Sequence, residues 1–129
     1  MNPLVHFEMP AEDRNRMADF YNRVFGWKAQ FMGEEMGNYV TVSTVETDEK
    51  GRPAEPGAIN GGFYLVTSDM PPQYPSIVIS VDNIQDSIKM INSAGGKVLG
   101  EPVEIPGVGT YISFTDTEGN RVSILQPKM

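Results

Sequence analysis

The feature that most constrains this chain is an internal repeat. Residues 37–43 (GNYVTVS) return as residues 109–115 (GTYISFT), at an offset of 72. Before each copy stands a strand-like segment, at residues 4–9 and 76–81, followed by a helical pattern that ends near a glycine. Because self-similarity at a fixed spacing reveals how a fold is assembled, the chain is predicted to contain two copies of one β-α-β-β-β unit.

Each copy is predicted to contain one amphipathic helix. The helices are expected to end at Gly26 in the first copy and at Gly95–Gly96 in the second, since glycine readily terminates a helix. Asp82 followed by Gln85 resembles a capping box, which predicts the start of the second helix. The apolar positions recur at helical spacing and comprise Met17, Phe20, Tyr21 and Val24 in the first helix and Ile84, Ile88 and Ile91 in the second.

The remaining strands follow each helix. The second strands are expected at residues 27–32 and 97–101. The third strands are expected at the repeated segments 37–43 and 109–115, and the last strands at residues 61–66 and 121–125. Glycines at 61 and 62 are interpreted as permitting a close backbone approach or a bulge. The predictions for the rest of the chain are a proline-rich linker at about 69–75, a surface loop at 47–59, and a single domain over 1–129, with one unit at about 1–68 and the other at 76–129.

Alternation along the strands separates an apolar face from a face of mixed polarity. The apolar set, predicted to lie under the helices, is Val5, Phe7, Met9, Ile77, Ile79, Val81, Val122 and Ile124. The opposite face is mixed and carries His6, Glu8, Ser76, Val78, Ser80, Arg121, Ser123 and Leu125. A sheet that is apolar on one side and mixed on the other is typical of a pocket or a wet groove.

Composition excludes several classes of function. A net charge of −7, with Lys and Arg scattered singly, argues against nucleic acid as a partner. No stretch approaches the roughly 20 apolar residues of a membrane span, and no leader peptide is recognised. The absence of cysteine excludes disulfides, thiolate nucleophiles and iron–sulfur clusters. The chain is therefore predicted to be soluble, unprocessed and cytoplasmic, with no membrane partner.

Two motifs within this repeat resemble the vicinal oxygen chelate superfamily, which includes glyoxalase I, extradiol dioxygenases and the fosfomycin and bleomycin resistance proteins. Residues 20–27 (FYNRVFGW) look like the helix-to-strand signature of that family, and residues 116–120 (DTEGN) resemble its hairpin. The resemblance implies an α+β fold in which a curled, mostly antiparallel sheet forms a U-shaped cup, with the helices on its outer face. It also implies a homodimer and, commonly, a divalent metal in the cup.

The metal ligands of that family are His or Glu on the first and last strands of each unit, and they match only in part. The first-strand position corresponds to His6, whereas the fifth and eighth strands offer Ser76 and Ser123. Zinc, nickel and iron sites depend on imidazole and carboxylate donors. No complete metal site and no cofactor are therefore predicted. A metal completed by Glu8, water, substrate or a second chain stays an open alternative.

His6 and Glu8 are the candidate catalytic residues. A lone histidine on a strand is often only a structural hydrogen-bonding residue, but it can also bind a ligand or act as a general base, and Glu8 is expected to raise its proton affinity. Tyr39 and Tyr111 are equivalent in the repeat and are expected either to pack alike or to line the pocket. The candidate substrate-binding residues are Thr41, Tyr64, Ser76, Tyr111, Ser113 and Ser123.

The predicted function is that of a glyoxalase-like or bleomycin-resistance-like protein that binds a small organic molecule in the cup without a complete transition-metal site. One alternative is a metal-dependent lyase, isomerase or dioxygenase. The other is a dimeric interaction module with no ligand. The sequence leaves open whether the chain is an enzyme.

Overall fold

The computed structural model describes residues 1–128, and its elements follow the predicted order β-α-β-β-β twice. A 3₁₀ turn at Glu34–Met36 precedes the third strand. The predicted α+β class and its two repeats are thereby confirmed. The elements are β1 (Leu4–Ala11), α1 (Arg14–Phe25), β2 (Lys28–Phe31), β3 (Val40–Ser43), β4 (Asn60–Leu65), β5 (Ser76–Ser80), α2 (Ile84–Ser93), β6 (Lys97–Ile105), β7 (Gly109–Thr115) and β8 (Arg121–Pro127).

The elements are grouped into two compact units. The first unit is His6–Pro75, and the second consists of the chain from Ser76 onward together with Met1–Val5. Strand order is β2-β3-β4-β1 in the first unit and β5-β8-β7-β6 in the second. β1 with β4 and β5 with β8 are parallel pairs, whereas the other pairs within each unit are antiparallel. The predicted, mostly antiparallel pairing is confirmed.

β3 and β6 differ most from the predicted bounds. β3 begins at Val40 rather than at residue 37, because Gly37 and Asn38 adopt left-handed backbone angles (φ 66° and 58°) after the 3₁₀ turn. β6 runs four residues further than predicted, to Ile105, with a register irregularity between Leu99 and Val103. Such an irregularity lets a strand bend and continue past a glycine.

Helix α1 ends as predicted but presents a different face to the sheet. Gly26 adopts a left-handed conformation (φ 77°), and its N–H donates to a carbonyl of the last turn. Ala18 is buried, and Met17 and Tyr21 pack against the core of the first unit. Phe20 and Val24 are more than half exposed, so the predicted apolar stripe of α1 packs against the core only at its other positions. Burial centred on the small Ala18 side chain turns these two residues outward.

Helix α2 begins with a different cap from the predicted one. The side chain of Asn83 accepts a hydrogen bond from the backbone N–H of Asp86, so Asn83 is the N-cap and the predicted capping box of Asp82 with Gln85 is wrong. Asparagine satisfies this position as well as aspartate does. The predicted apolar stripe is confirmed, since Ile84 is buried and Ile88 and Ile91 pack against the same cluster. Neither α1 nor α2 has the length and apolar character that crossing a bilayer requires.

Each unit has its own hydrophobic core between its helix and one face of its strands. The buried residues are Ala11, Ala18, Val40, Val42 and Phe63 in the first unit, and Val81, Ile84, Ile112, Phe114 and Ile124 in the second. Phe7 and Met9 join the first core as predicted, and Trp27 packs there as well. Val5 and Ile77 remain 39% and 36% exposed. Their predicted place in the core was wrong, because they lie near the start of their strands and outside both clusters.

The adjacent Gly61 and Gly62 leave space for two aromatic rings to pack against strand β4. A side chain at Gly61 would overlap the ring of Phe7, and one at Gly62 would overlap the phenol of Tyr39. Neighbouring strand residues point to opposite faces, so Phe7 lies on the helix side and Tyr39 on the other side. The interpretation of these glycines as sites of close approach is confirmed.

Candidate functional site

The main polar feature of the first unit is a chain of hydrogen bonds between three side chains. The His6 Nε2 atom lies 2.9 Å from the hydroxyl oxygen of Tyr39. The same hydroxyl donates to the Glu8 Oε2 atom at 3.1 Å. All three side chains are partly buried, where water competes less for such contacts than on an open surface. We call the side of the first unit's sheet that carries these residues the His6 face.

Strand geometry explains why the three side chains meet. His6 and Glu8 are two residues apart on β1 and therefore point to the same side. In the sheet register, Glu8 lies beside Gly62 of β4, and Gly62 lies beside Thr41 of β3. Tyr39 immediately precedes β3, and its ring lies over Gly62. The missing side chain at Gly62 therefore lets the phenol reach the two β1 residues.

Burial decides the protonation of His6. Removal from water lowers the pKa of His6 below its ordinary value of 6.5, and the charge of Glu8 raises it by less. Glu8 does raise the proton affinity of His6, as predicted, but desolvation lowers it by more. At neutral pH the imidazole is uncharged, so it can offer a lone pair from one ring nitrogen and a proton from the other.

We expect the stability of the protein to fall as the pH is lowered through 6.5. The unfolded chain takes up the His6 proton more readily than the folded protein does, so the free energy of unfolding decreases between 6.5 and the lowered pKa. Chemical denaturation at a series of pH values measures this, with His6→Gln as the control that removes the titrating group. The other shifted groups are aspartates whose pKa is lowered from the ordinary value of 3.8, so they change the stability only at more acidic pH. They are Asp48, Asp69 and Asp116. Equal slopes in both proteins between pH 5 and 7 would contradict the assignment.

The second unit carries a related cluster made only of hydroxyl groups. The Tyr111 hydroxyl lies 2.7 Å from the Ser123 Oγ atom, which lies 2.8 Å from the Ser113 Oγ atom. Ser113 pairs with Ser123 in register, as Thr41 pairs with Gly62 in the first unit. Ser123 is only 2% exposed and Ser113 only 4%. Three of the predicted substrate-binding residues are therefore connected by hydrogen bonds. The two serines among them are almost completely buried.

Two further predicted binding residues are Tyr64 and Ser76. Tyr64 projects from β4 and donates its hydroxyl proton to Gln73 at 2.9 Å, while its neighbour Phe63 is fully buried. Adjacent strand residues point to opposite faces, so Tyr64 lies on the side away from the core that buries Phe63. Ser76 is the first residue of β5 and is partly buried.

Tyr39 is the functional candidate that sequence reasoning did not select. The sequence placed it only as the equivalent of Tyr111, with a packing or pocket-lining role. The signal available in the sequence was the difference between the two copies. Where the second unit has Ser123 beside the tyrosine, the first has Gly62, and His6 and Glu8 stand on the neighbouring strand.

The donors in these two clusters do not fit a chelated transition metal. Within residues 1–128, no three His, Asp or Glu side chains come close enough together to hold an ion. His6 and Glu8 both contact the Tyr39 hydroxyl, and Gly62 beside them offers no donor. The equivalent of Gly62 in the second unit is Ser123, whose hydroxyl is a poor ligand for zinc, nickel or iron.

A surface cavity of about 360 Å³ lies elsewhere in the first unit, at the start of α1. None of the residues that the sequence predicted for the site lines it. Its walls combine apolar side chains with the charged residues of the first helical turn. The lining residues are Pro10, Ala11, Glu12, Asp13, Arg16, Met17 and Phe20.

Comparison with known proteins identifies the family. The family model described as the Glyoxalase/Bleomycin resistance protein/Dioxygenase superfamily matches residues 4–124. The chain belongs to this superfamily. The resemblance inferred from the repeat, the helix-to-strand signature and the hairpin is thereby confirmed.

Members of the superfamily similar to this chain have varied descriptions. A glyoxylase-like domain-containing protein of Didymella fabae is 31% identical over 120 residues, which cover 91% of this chain and 88% of the relative. The anthracycline biosynthesis protein DnrV of Streptomyces peucetius is 26% identical over 126 residues, which cover 88% of this chain. The match covers only 42% of DnrV, so this chain spans less than half of that relative's length.

A solved structure supports the fold of the superfamily. Methylmalonyl-CoA epimerase from Mycobacterium tuberculosis superposes with a TM-score of 0.70 over 98% of this chain and 88% of that chain. The sequences are only 11% identical. At this identity the likeness concerns the fold and not the reaction.

Proposed function

We propose that this superfamily member binds a small organic molecule at the His6 face, without a tightly held transition metal. The observation that carries the proposal is the hydrogen-bonded chain of His6, Tyr39 and Glu8 on the side of the sheet away from the helix. Convergent polar groups of this kind orient a ligand, and the aromatic ring among them adds apolar contact. The hydroxyl-rich donor set of the two clusters supports the metal-free form of the proposal.

The chemistry of the His6 face suggests which ligands suit it. An uncharged imidazole and a glutamate lie two residues apart on one face of β1, and Thr41 adds a hydroxyl on the same face. These groups match a ligand with hydroxyl or carbonyl oxygens. If His6 accepts a proton from the ligand, the protein is a metal-free enzyme and His6 is its general base.

Metal uptake separates this proposal from a metal-dependent lyase, isomerase or dioxygenase. The purified protein is incubated with zinc, nickel, manganese and iron(II), dialysed, and assayed for bound metal. We expect far less than one ion per chain, and the same amount in His6→Ala. Tight uptake of about one ion per chain that is abolished in His6→Ala would overturn the metal-free proposal.

Ligand binding is tested by thermal shift with fractions of a metabolite mixture. A compound that binds only the folded state at a hundred times its Kd adds about 2.7 kcal/mol to the free energy of unfolding, which raises the Tm by several degrees. We expect a fraction that raises the Tm of the wild type but not that of His6→Ala, each measured against its own baseline. If no fraction raises the Tm, a ligand-free interaction module is favoured instead.

The family also leads us to propose a homodimer in the cytoplasm. The dimer is proposed from the family resemblance, and the cytoplasm from the lack of cysteine. Neither proposal depends on the chemistry of the His6 face. Sedimentation equilibrium measures the mass directly, and a mass near the monomer value of 14.2 kDa at micromolar concentration would contradict the dimer.

A further inference from the structure

We propose that Tyr39 is a positioning residue that holds His6 in one tautomer, with the proton on Nε2, and so makes Nδ1 the basic nitrogen of the site. The tautomer itself is a property of the unliganded protein. Its consequence for chemistry rests on the proposed function, because only a bound molecule could give a proton to Nδ1.

The number of protons shared among the three side chains determines the tautomer. A phenol carries one proton, and a carboxylate only accepts hydrogen bonds. Because Tyr39 donates its proton to Glu8, its oxygen has only lone pairs left for His6. The 2.9 Å contact is therefore a hydrogen bond only when Nε2 carries a proton. A neutral imidazole with a proton on Nε2 has none on Nδ1.

Tyr39 is held firmly enough to impose this choice. Its backbone carbonyl accepts from the N–H of Met32 at 2.8 Å, and its own N–H donates to the carbonyl of Met36 at 3.3 Å. Its ring fills the space that a side chain at position 62 would occupy. The phenol thus has little freedom to turn its hydroxyl away from the imidazole.

The surroundings of the imidazole favour the same arrangement. Burial favours the uncharged imidazole, and only in the uncharged form does the tautomer decide which nitrogen can accept a proton. The rings of His6 and Tyr39 are inclined by only 21°. The Nε2 atom lies 2.9 Å from the phenol oxygen, which is the usual distance of an N–H···O hydrogen bond.

The second unit shows what the same scaffold does without a histidine. Tyr111, the equivalent of Tyr39, contacts the hydroxyls of Ser123 and Ser113. Residues 76–128 of the second unit contain no histidine, so these hydroxyl contacts involve no tautomer. The positioning role is thus assigned to one of the two copies only.

The chemical consequence is a defined proton acceptor. When a bound molecule gives up a proton to Nδ1, the imidazole becomes a cation and the molecule is left with the electron pair of the broken bond. The proton on Nε2 stays in place, and its hydrogen bond reaches the negative charge of Glu8 through Tyr39. The charge of Glu8 raises the pKa of His6 and so favours the imidazolium as it forms.

The test uses the fact that His6 is the sole histidine of the chain. In protein labelled with ¹⁵N-histidine, every imidazole signal belongs to His6, and long-range proton–nitrogen correlation spectra report which nitrogen carries the proton. At about pH 8, above the ordinary histidine pKa, we expect a protonated Nε2 and an unprotonated Nδ1 in the wild type. A dominant Nδ1–H tautomer would overturn the proposal.

Variants separate positioning from general structure. In Tyr39→Phe, the ratio of Nε2–H to Nδ1–H should fall by about 2- to 12-fold, which is the usual net contribution of one hydrogen bond expressed as a ratio. Tyr21→Phe is the matched control, because Tyr21 packs on the helix side against Trp27 and should leave the ratio unchanged. A ratio that is equal in wild type and Tyr39→Phe would overturn the proposal.

A second variant guards against a folding defect in Tyr39→Phe. Gly62→Ala keeps the phenol but pushes it away from its place over β4, so the ratio should fall here as well. These spectra require no ligand. A failed thermal-shift screen would remove the proposed function while leaving the tautomer intact, and an altered tautomer assignment would leave ligand binding untouched.

Discussion

Replacing Phe63 by alanine should lower the free energy of unfolding by about 3–5 kcal/mol, the cost typical of truncating a fully buried aromatic side chain. Phe63 is 0% exposed, and its ring lies 5.6 Å from that of Tyr21 on α1. Val40, its register partner on β3, is equally buried. The truncation leaves a cavity between helix and sheet that these neighbours cannot fill, and the first unit loses its central contact.

Urea denaturation of Phe63→Ala measures the loss, and Phe20→Ala is the matched control. Both changes remove the same atoms, but Phe20 is 53% exposed on the outer side of α1. Its truncation should cost no more than about 1.5 kcal/mol, since less apolar surface is returned to water. Equal losses in the two variants would show that the core of the first unit is not centred on Phe63.

The sequence predicted the course of the backbone well because the repeat constrains it twice. The near-identity of residues 37–43 and 109–115 placed one strand in each copy, and the glycine near the end of each helix marked where the chain turns back toward the sheet. Alternation then placed Phe7 and His6 on opposite faces of β1, and Phe7 joins the first core while His6 bonds to Tyr39 on the other side. These inferences depend only on periods of two and 3.6 residues, which do not require knowledge of the packing.

The errors arose where packing selects among options that the local pattern allows equally. Phe20 and Val24 fit an apolar stripe, but the small Ala18 side chain lets α1 settle with a neighbouring stripe toward the sheet. Asp82 and Asn83 are both competent caps, and the choice follows from where α2 meets the second core. A sequence pattern does not determine which face of a helix meets the sheet or at which residue the helix begins.

The candidate site was predicted in its residues but not in its contacts. His6 and Glu8 were recognised from their shared face, whereas their link through Tyr39 depends on how a phenol is directed across β4. The net shift in the pKa of His6 depends on a balance between burial and the charge of Glu8. Such a balance is set by distances and by exclusion of water, which a sequence does not specify.

Gly62→Ala should destabilise the protein by about 1–3 kcal/mol, the usual cost of inserting a methyl group into a filled space. The methyl group would overlap the phenol of Tyr39 and force its hydroxyl away from His6 and Glu8. Backbone strain is not the cause, because Gly62 does not have a positive φ. The cost is therefore specific to the presence of the Tyr39 ring.

A double-mutant cycle with Tyr39→Ala tests this cause. Once the ring is gone, the methyl group has room, and Gly62→Ala should become neutral or stabilising by about 0.5–1 kcal/mol, because alanine restricts the unfolded chain more than glycine does. Gly61→Ala is the matched control. Its methyl group meets Phe7 on the helix side of the strand, so its cost should be the same with or without Tyr39. If the costs of Gly62→Ala and Tyr39→Ala simply add, the phenol does not occupy the space over β4, and the hydrogen-bonded chain that leads from it to His6 and Glu8 loses its structural basis.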